Sequence, residues 1–450
     1  MKDAQPARFV FIPIFNGTYF NGLFKLVSRL SDNSALEFIF FFGSYYPNQE
    51  KHLALLSGRY DFQLSQLSGL SFIGGSKILT LARKYRVIDE LLNFVDVAIR
   101  IRILKKELHQ VWGSNRISLC LFPADNRYLY PFISNFAISR STPVVIAPHW
   151  FAGPKEIEQA LGHSKIYHPS FLERSVVRLI APEYLRYVTR LNNSFFMIPI
   201  RFSEILIAWL LRCIPPEPWT LHSGFANRIF VETASTYEFA TELGFDERQL
   251  ALTGSIFLDE IELETTVASK NIHVLVAVAP DMFSSRADVN LQFADYREYL
   301  FFLCNELMRF GYGDAVFSMH PSDAGEYHDL ISGFGFEISK EPIHLLLVHT
   351  KIFLATISAT IQWANYLSIP TVNFDFYQYD YPDYLNLPLV VGVQDKQKLI
   401  EKLNQAEHLA EINSTREVIG HISQVQRRAR GVDMILAEIS RLVEGSKNND

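Results

Sequence analysis

The sequence has little cysteine: three residues in 450, with no Cys-x-x-Cys pair and no Cys/His cluster at the spacing of metal ligands. Cys120, Cys213 and Cys304 lie far apart along the chain, and two of them lie in apolar runs. This pattern argues against a disulfide-stabilised secreted scaffold. It predicts buried free thiols in a protein of a reducing compartment.

Long uninterrupted apolar runs are also missing. The most apolar segment, residues 195–214, is interrupted by Arg201, Glu204 and Arg212, which disfavours a membrane-spanning helix. No secretory signal pattern is present at the N-terminus, so a cytoplasmic location is predicted. Arginines outnumber glutamates six to three in residues 171–212. These arginines are compatible with a peripheral contact with anionic lipid at the inner face of the plasma membrane, or with a lipid-linked acceptor. The alternative is that they form a solvated basic edge.

Positive charge is not in excess, because the net charge is −6 at pH 7. This argues against nucleic acid as a partner. Hydrophobic residues make up 48% of the chain and charged residues 20%, which is typical of a globular protein. A chain of 450 residues exceeds one ordinary core, so two domains or one large α/β unit are expected.

Strand-like and helix-like segments alternate in both halves of the chain. The opening run "RFVFIPIF", an amphipathic helix and "LEFIFFFGS" form a strand–helix–strand pattern typical of parallel sheets. A second alternation begins near residue 226. We therefore predict an α/β protein with two doubly wound, Rossmann-like domains facing across a ligand-binding cleft. The predicted domains are residues 1–222, with a helical insertion at about 155–215, and residues 223–450, with C-terminal helices.

One strand-to-helix junction, "ATISATIQWANYL", carries two hydroxyl residues. Ser358 and Thr360 are natural N-cap residues, and such a junction exposes backbone N–H groups that suit a phosphate. His320 and Pro321 follow the preceding predicted strand. Because the carboxyl ends of parallel strands open onto one crevice, these residues are expected to face the same ligand.

At these residues the sequence resembles a known family. "MHP" followed by "ATISATIQWANYLSIPTVNFD" resembles the donor domain of inverting GT-B glycosyltransferases, in particular the sialyltransferase-like and Kdo-transferase-like enzymes of bacterial capsules and surface polysaccharides. "NRIFVETASTYEFATELGFDERQLALTGSIFLDE" and "VAVAPDMF" resemble other segments of that domain. "LCLFPADNRYLYPFISNFAISRSTPVVIAPHW" resembles the acceptor domain. The resemblance implies a GT-B fold with an N-terminal acceptor domain and a C-terminal donor domain.

The resemblance also implies a set of donor-side residues. A His-Pro and a Ser/Thr-rich helix start would hold the phosphate of the nucleotide and stabilise its developing charge without a metal or other cofactor. In this sequence those residues are His320, Pro321, Ser358, Ala359 and Thr360. The Gly-Ser turn Gly254-Ser255 and Pro280 belong to the same expected site.

An inverting transferase further needs a base that deprotonates the acceptor hydroxyl. Asp125 is the first candidate; capping of the helix that starts near Arg127 is its alternative role. His149 is the second candidate and Glu156 the third. Asn126 and Arg127 are expected beside Asp125 in the acceptor site.

The segment "FDFYQYDYPDYL" contains further acidic and aromatic side chains. Asp375, Asp380 and Asp383 form no Asp-x-Asp pair, so a surface or cleft-lining role is favoured over metal binding. Tyr377, Tyr379 and Tyr381 are expected either to line a sugar pocket or to pack in the core; Tyr377 is the one included among the substrate-binding candidates.

Two positions depart from common patterns of the superfamily. Met319 stands where many members have a lysine, and Gln362-Trp363-Ala364 stands where many nucleotide-sugar enzymes have a ribose-binding glutamate. These departures favour a CMP-activated ulosonic acid, either a nonulosonic acid or Kdo, transferred to a surface glycan. The alternatives are a UDP-sugar transferase, a UDP-N-acetylglucosamine 2-epimerase-like enzyme, a CDP-alcohol phosphotransferase and a non-catalytic GT-B binding subunit.

Overall fold

The chain forms two compact units in a computed structural model. Unit 1 comprises Met1–Gly254 and Val432–Asp450, and unit 2 comprises Ser255–Gly431. The structure describes residues 8–15, 20–32, 36–43, 49–65, 85–125, 129–148, 153–161, 165–185, 197–220, 222, 224–257, 259, 272–283, 289–320, 325–381, 384, 386–416 and 431–445. Outside these fall the predictions for Asn126, Arg127, His149, Pro321 and Asp383, and also the side chain of Glu156.

Unit 1 is built on a parallel seven-stranded sheet in the order β3-β2-β1-β4-β5-β6-β7. Its strands are β1 (Arg8–Ile14), β2 (Leu36–Phe42), β3 (Asp61–Leu64), β4 (Ile117–Phe122), β5 (Val144–Ile146), β6 (Arg228–Val231) and β7 (Leu250–Leu252). The central strands are apolar and buried on both faces because helices cover the sheet. The strand order reverses direction between β1 and β4, which is the switch point of a doubly wound sheet.

The helices of unit 1 vary widely in length. Among the described residues up to Gly254 they are α1 (Phe20–Asp32), α2 (Gln49–Leu56), α3 (Arg86–Ser114), α4 (Tyr130–Ile138), α5 (Pro154–Leu161), α6 (Phe171–Ile180), α7 (Phe202–Leu210) and α8 (Ala234–Glu242), with 3-10 turns at Lys165–Tyr167 and Pro182–Leu185. Among the described residues, no helix combines the length and the apolar composition needed to cross a membrane.

Unit 2 contains a parallel six-stranded sheet in the order β10-β9-β8-β11-β12-β13. Its strands are β8 (Ile272–Ala277), β9 (Val316–Ser318), β10 (Glu337–Ser339), β11 (Thr350–Ala355), β12 (Thr371–Phe374) and β13 (Val390–Val393). Its helices are α9 (Tyr296–Arg309), α10 (His328–Gly333), α11 (Ile343–Leu347), α12 (Thr360–Tyr366) and α13 (Leu399–Arg416), with a 3-10 turn at Lys396–Lys398. The switch point of this sheet lies between β8 and β11.

Local sequence explains where several helices begin. Ser170 and Glu173 form a reciprocal capping box at the start of α6, as a Ser-x-x-Glu pattern predicts. The Asp295 carboxylate accepts a hydrogen bond from the Glu298 backbone N–H (2.8 Å) and so caps α9. The last helix, α14 (Gly431–Gly445), returns to unit 1, where Glu438 pairs with Arg228 at 3.2 Å.

The observed boundary between the units differs from the predicted one at residues 222/223. Strands β6 and β7 belong to the first sheet, because β6 pairs in parallel with β5 and β7 pairs with β6. The long helical stretch between β5 and β6 hides this continuity in the sequence. The boundary therefore lies at Gly254/Ser255, and the C-terminal helix α14 belongs to unit 1 rather than to the second domain.

The helical insertion of unit 1 is fastened by a carboxylate on α3. Glu90 is buried, and its Oε2 accepts hydrogen bonds from the Ser203 backbone N–H (2.9 Å) and hydroxyl (2.6 Å). Its Oε1 pairs with Arg201 at 3.2 Å. Arg201 is the N-cap of α7 and makes no side-chain cap of its own, so Glu90 supplies that cap from another helix.

We expect Glu90→Gln to lower the free energy of unfolding by about 1–3 kcal/mol, because an amide nitrogen cannot accept the hydrogen bonds of Ser203 or pair with Arg201. Urea unfolding followed by far-UV circular dichroism measures the loss. Asp96→Asn is the matched control, since Asp96 pairs only along α3 with Arg100 at 2.7 Å and should cost about 0.5 kcal/mol or less. Equal losses in both variants would contradict the capping role of Glu90.

Candidate functional site

Four strands of unit 2 reach the carboxyl edge of the sheet in one row. Ala277 of β8 pairs with Ser318 of β9 and with Ala355 of β11, and Ala355 pairs with Asn373 of β12. The loops that follow these strands therefore start side by side, around the switch point between β8 and β11. A row of this kind places several loop residues within reach of one ligand.

Two of the predicted donor-side residues lie just beyond this row. His320 is exposed two residues past the end of β9, and Ser358 is half-buried three residues past the end of β11. Their strands are separated by one strand, β8, so the two backbones are on the order of 10 Å apart. A ligand of nucleotide size spans that distance.

The loop that leads from β11 into α12 is held in a strained conformation. Ile357 adopts a left-handed backbone (φ 48°), which is unusual for a β-branched residue. Its N–H donates to the side-chain oxygen of buried Asn373 (3.2 Å), which stabilises the turn. Asn373 was not singled out from sequence, although a polar residue within the apolar strand "PTVNF" is the signal that could have found it.

The hydroxyls of Ser358 and Thr360 meet directly after this turn. Their oxygens are 2.7 Å apart, and Ser358 Oγ accepts a hydrogen bond from the Thr360 N–H at 3.3 Å. The N-cap position itself is taken by Ala359, which corrects the prediction that Ser358 or Thr360 occupies it. All three residues are partly exposed, so hydroxyl and backbone donors are presented together at the switch point.

The loop after β8 is fixed by two tyrosines. Tyr296 donates a hydrogen bond to the Ala279 carbonyl (2.5 Å), and Tyr377 donates to the Pro280 carbonyl (3.2 Å) while accepting from the Met282 N–H (3.0 Å). Tyr377 is buried, and its burial raises the pKa of the phenol. Two roles were expected for Tyr377, sugar binding and packing, and its burial favours packing. Tyr377 positions the segment that carries Pro280. Tyr296 was not identified from sequence, because nothing local marks its distant partner.

Asp375 is buried at 4% exposure, unlike the surface or cleft-lining role predicted for it. Its two oxygens accept hydrogen bonds from the Tyr379 N–H (2.9 Å) and the Asp380 N–H (2.7 Å), which close a loop containing left-handed Gln378 and Asp380. Burial raises the pKa of Asp375 to about 6 against the effect of these hydrogen bonds. Within the described ranges, no group of three or more His, Cys, Asp or Glu residues could hold a metal ion.

In unit 1 the candidate base Asp125 lies three residues beyond the end of β4, beside the switch point of that sheet. Its side chain is fully buried. The preceding Ala124 packs against Ile157 of α5, so Asp125 lies close to the helix that carries Glu156. The structure thus brings two of the three candidate segments together, and the role of Asp125 as base stays a prediction.

The Gly-Ser turn lies where unit 1 passes into unit 2. Gly254 has a left-handed φ of 82°, which favours glycine. Ser255 is buried; its hydroxyl accepts from the Phe257 N–H (3.3 Å) and its carbonyl from the Asp259 N–H (3.1 Å). These contacts make Ser255 the cap of a short helical turn. The three cysteines are free and buried, as predicted.

Comparison with known proteins finds similarity in structure and not in sequence. No family model and no curated protein matches the chain. The glycotransferase of kitacinnamycin superimposes with a TM-score of 0.54 at 12% identity, covering 98% of this chain and 100% of that one. A UDP-glucosyltransferase from Polygonum tinctorium superimposes with a TM-score of 0.53 at 12% identity, with the same coverage. The UDP-GlcNAc 2-epimerase of Neisseria meningitidis reaches 0.49 at 10% identity, over 96% of this chain and 100% of that one.

The similarities to the glycotransferase and to the UDP-glucosyltransferase extend over almost the whole chain. Together with the two parallel α/β units, they show that the chain has a GT-B fold with two Rossmann-like units, and the predicted fold class is confirmed. At this level of identity the comparison concerns the fold alone.

The buried carboxyl of Asp375 predicts a pH dependence. A folded-state pKa of about 6 lies above the usual value of 3.8, so the native state binds the proton more tightly than the unfolded chain does. Stability from this group is fully present below about pH 4 and is lost as the pH rises through 6, by roughly 3 kcal/mol. We expect the unfolding free energy of the native protein to fall by about 2–3 kcal/mol relative to Asp375→Asn between pH 4 and pH 7.

Chemical unfolding at a series of pH values measures this difference, and other titrating groups cancel between the two proteins. Glu401→Gln is the control, because the Glu401 side chain is 68% exposed and should give a nearly constant difference. A pH-independent difference for Asp375→Asn would show that the carboxyl does not titrate with a raised pKa.

Proposed function

We propose that this chain is a nucleotide-sugar-dependent glycosyltransferase and that unit 2 binds the donor. The observation that supports this best is the carboxyl edge of unit 2, where His320, the 278–282 loop and the Ser358–Thr360 segment surround the switch point of a doubly wound sheet. Ligands of such folds bind outside the carboxyl ends of the strands at the switch point. The GT-B fold agrees with this reaction class.

In the proposed mechanism, unit 2 stabilises the nucleotide as it leaves. The Ser358 and Thr360 hydroxyls donate hydrogen bonds to phosphate oxygens, and His320 adds an imidazole donor. The segment that carries Pro280 is already fixed by Tyr296 and Tyr377, so little reorganisation is needed when the ligand binds. These donors act without a metal in this proposal.

Unit 1 binds the acceptor and supplies the base in the same proposal. Asp125 accepts the proton of the acceptor hydroxyl, whose oxygen then attacks the anomeric carbon from the face opposite the nucleotide. The glycosidic bond forms as the bond to the nucleotide phosphate breaks, and the configuration inverts. His149 and Glu156 are the second and third candidates for the base. The acceptor that we propose is a surface glycan or a lipid-linked glycan.

CMP and UDP are the two leading candidates for the nucleotide of the donor. Met319 stands where many members have a lysine, and Gln362-Trp363-Ala364 stands where many have a ribose-binding glutamate; both departures support a CMP-activated ulosonic acid. The UDP-glucosyltransferase among the similar structures supports UDP as the alternative. We propose CMP because it follows from residues of this chain.

Calorimetric titration of the full chain with CMP, CDP, UDP and GDP, without added metal, tests the assignment. We expect preferential binding of CMP, and we expect His320→Ala to weaken that binding about tenfold or more, because a hydrogen bond to a charged phosphate is lost. His408→Ala is the matched control, since His408 is also exposed in unit 2 but lies on α13. It should leave the affinity unchanged.

Each other outcome has a definite meaning. Unchanged affinity in folded His320→Ala overturns the role of His320. A preference for UDP replaces the CMP-ulosonic donor, and interconversion of UDP-N-acetylglucosamine without an acceptor identifies an epimerase. A preference for CDP points to a CDP-alcohol phosphotransferase. Failure to bind any of the four nucleotides contradicts the proposal and favours a non-catalytic binding subunit.

Asp125→Asn tests the base. The substitution preserves shape at a fully buried position, so we expect donor affinity to be retained while transfer falls by about 10²–10⁴-fold. Turnover of the donor identified by calorimetry provides the rate. Glu158→Gln, an acid of α5 without an assigned role, should transfer normally. Full activity of Asp125→Asn would eliminate Asp125 and leave His149 and Glu156 as candidates.

A further inference from the structure

One face of α3 is exposed, apolar at its start and basic further along. Successive residues of an α-helix are turned by about 100° around its axis, so residues that fall within one arc of about 100° share a face. All residues of α3 in the arc that begins at Val87 are exposed. In order they are Val87, Ile88, Leu91, Val95, Ala98, Arg102, Lys105, Lys106, His109 and Gly113. Val87 is 82% exposed and Leu91 is 62% exposed, which is unusual for large apolar side chains on one helix stripe.

This face contains no acidic residue, although α3 carries four. Asp89 and Glu90 pair with Arg201, and Asp96 pairs with Arg100. Glu107 is buried and accepts a hydrogen bond from Ser65 at 2.5 Å. Every carboxylate of the helix thus lies off the exposed arc, whereas Arg102, Lys105 and Lys106 lie on it.

The neighbouring helix α6 repeats the pattern. Arg86, at the start of α3, pairs with Glu173 in the first turn of α6 at 3.0–3.1 Å, so the first turns of the two helices are adjacent. The exposed side of α6 is again free of acids, because its one glutamate is used in that pair. It presents Phe171, Leu172, Ser175, Val176, Arg178 and Leu179, and Leu179 is 85% exposed. We name these exposed residues of α3 and α6 the α3/α6 face.

We propose that the α3/α6 face docks on the surface of an anionic lipid bilayer. Its apolar side chains enter the interface between headgroups and acyl chains, and Arg102, Lys105, Lys106 and Arg178 contact lipid phosphates. Amphipathic helices with an apolar part and a cationic part bind anionic membranes in this way. The charge of the face is complementary to such a bilayer because no carboxylate opposes it.

The same charges disfavour a second copy of this chain as the occupant. A two-fold dimer would bring the α3/α6 face against itself. Neither half of such an interface offers a carboxylate to the cations of the other, so like charges would meet without compensation. An anionic bilayer supplies the missing negative charge.

Co-sedimentation of the full chain with vesicles tests the proposal. We expect binding to phosphatidylcholine vesicles that contain phosphatidylglycerol, weak binding to pure phosphatidylcholine, and loss of binding at high salt. The triple variant Arg102→Glu, Lys105→Glu, Lys106→Glu should weaken binding about tenfold or more. Val87→Gln with Leu91→Gln should weaken it about tenfold by removing apolar side chains while keeping good helix formers.

Two control variants match these changes on other surfaces. Arg297→Glu, Lys340→Glu and Lys398→Glu are exposed substitutions in unit 2 that give the same net charge. Met308→Gln with Met434→Gln removes two other exposed apolar side chains. Both controls should bind vesicles like the native chain. Circular dichroism and nucleotide affinity confirm that every variant is folded, whatever its membrane binding.

The proposal is overturned if the native chain does not bind anionic vesicles, or if the control charge variant loses binding as much as the α3 variant does. It is also overturned if Val87→Gln with Leu91→Gln converts a dimer into a monomer and leaves vesicle binding unchanged, since the face would then serve self-association. A lower unfolding temperature in that variant, with unchanged vesicle binding, would show instead that another part of the chain covers the face.

Discussion

The common register of four parallel strands is the constraint on which the candidate donor site depends. Because β9, β8, β11 and β12 reach the carboxyl edge in one row, the number of residues beyond the row fixes where each loop residue lies. A shift of one residue in β8 or β11 would exchange the side chains that pack in the two cores on opposite faces of the sheet, so the register is strongly specified. The positions of His320 and Ser358 follow from the packing of residues that never touch a ligand.

Buried polar groups then hold the loops beyond the row. The Tyr296 and Tyr377 hydroxyls, the Asn373 amide and the Asp375 carboxylate all bind backbone groups of turns that no strand can satisfy. Their burial has a cost, since Asp375 has a raised pKa and Ile357 lies in a strained backbone region. In return, these buried groups fix the loops, so that the hydrogen-bond donors of the candidate site are in position before a ligand binds.

The sequence predicted the central strands well and the edge strands poorly, for a physical reason. Central strands of a parallel sheet are covered on both faces and appear as continuous apolar runs, as in "LEFIFFFGS" and "IHVLVAVAP". The unpredicted strands β3, β10 and β13 are all edge strands, and most of their residues are partly or fully exposed. Contacts between residues that are far apart in the sequence were equally unpredictable. No local sequence pattern shows that β6 pairs with β5, or that the Tyr377 hydroxyl donates to the Pro280 carbonyl. The strand-to-helix junction at Ser358 was predictable because its signal is local.

The α3/α6 face is not apparent from the composition of α3, because the structure places the acidic and the basic residues of that helix on different sides. Over the whole of α3, the negative charges of the acidic residues nearly balance the positive charges of the basic residues. Helical periodicity and the partners on neighbouring elements separate them onto two sides of the helix. Asp89 and Glu90 fasten the insertion through Arg201, and Glu90 also caps α7. Glu107 accepts a hydrogen bond from Ser65. The inner side of α3 thus uses all of the negative charge of the helix for folding. The outer side keeps cations and apolar groups alone, so the contacts that stabilise unit 1 also leave it with a surface complementary to anionic lipid.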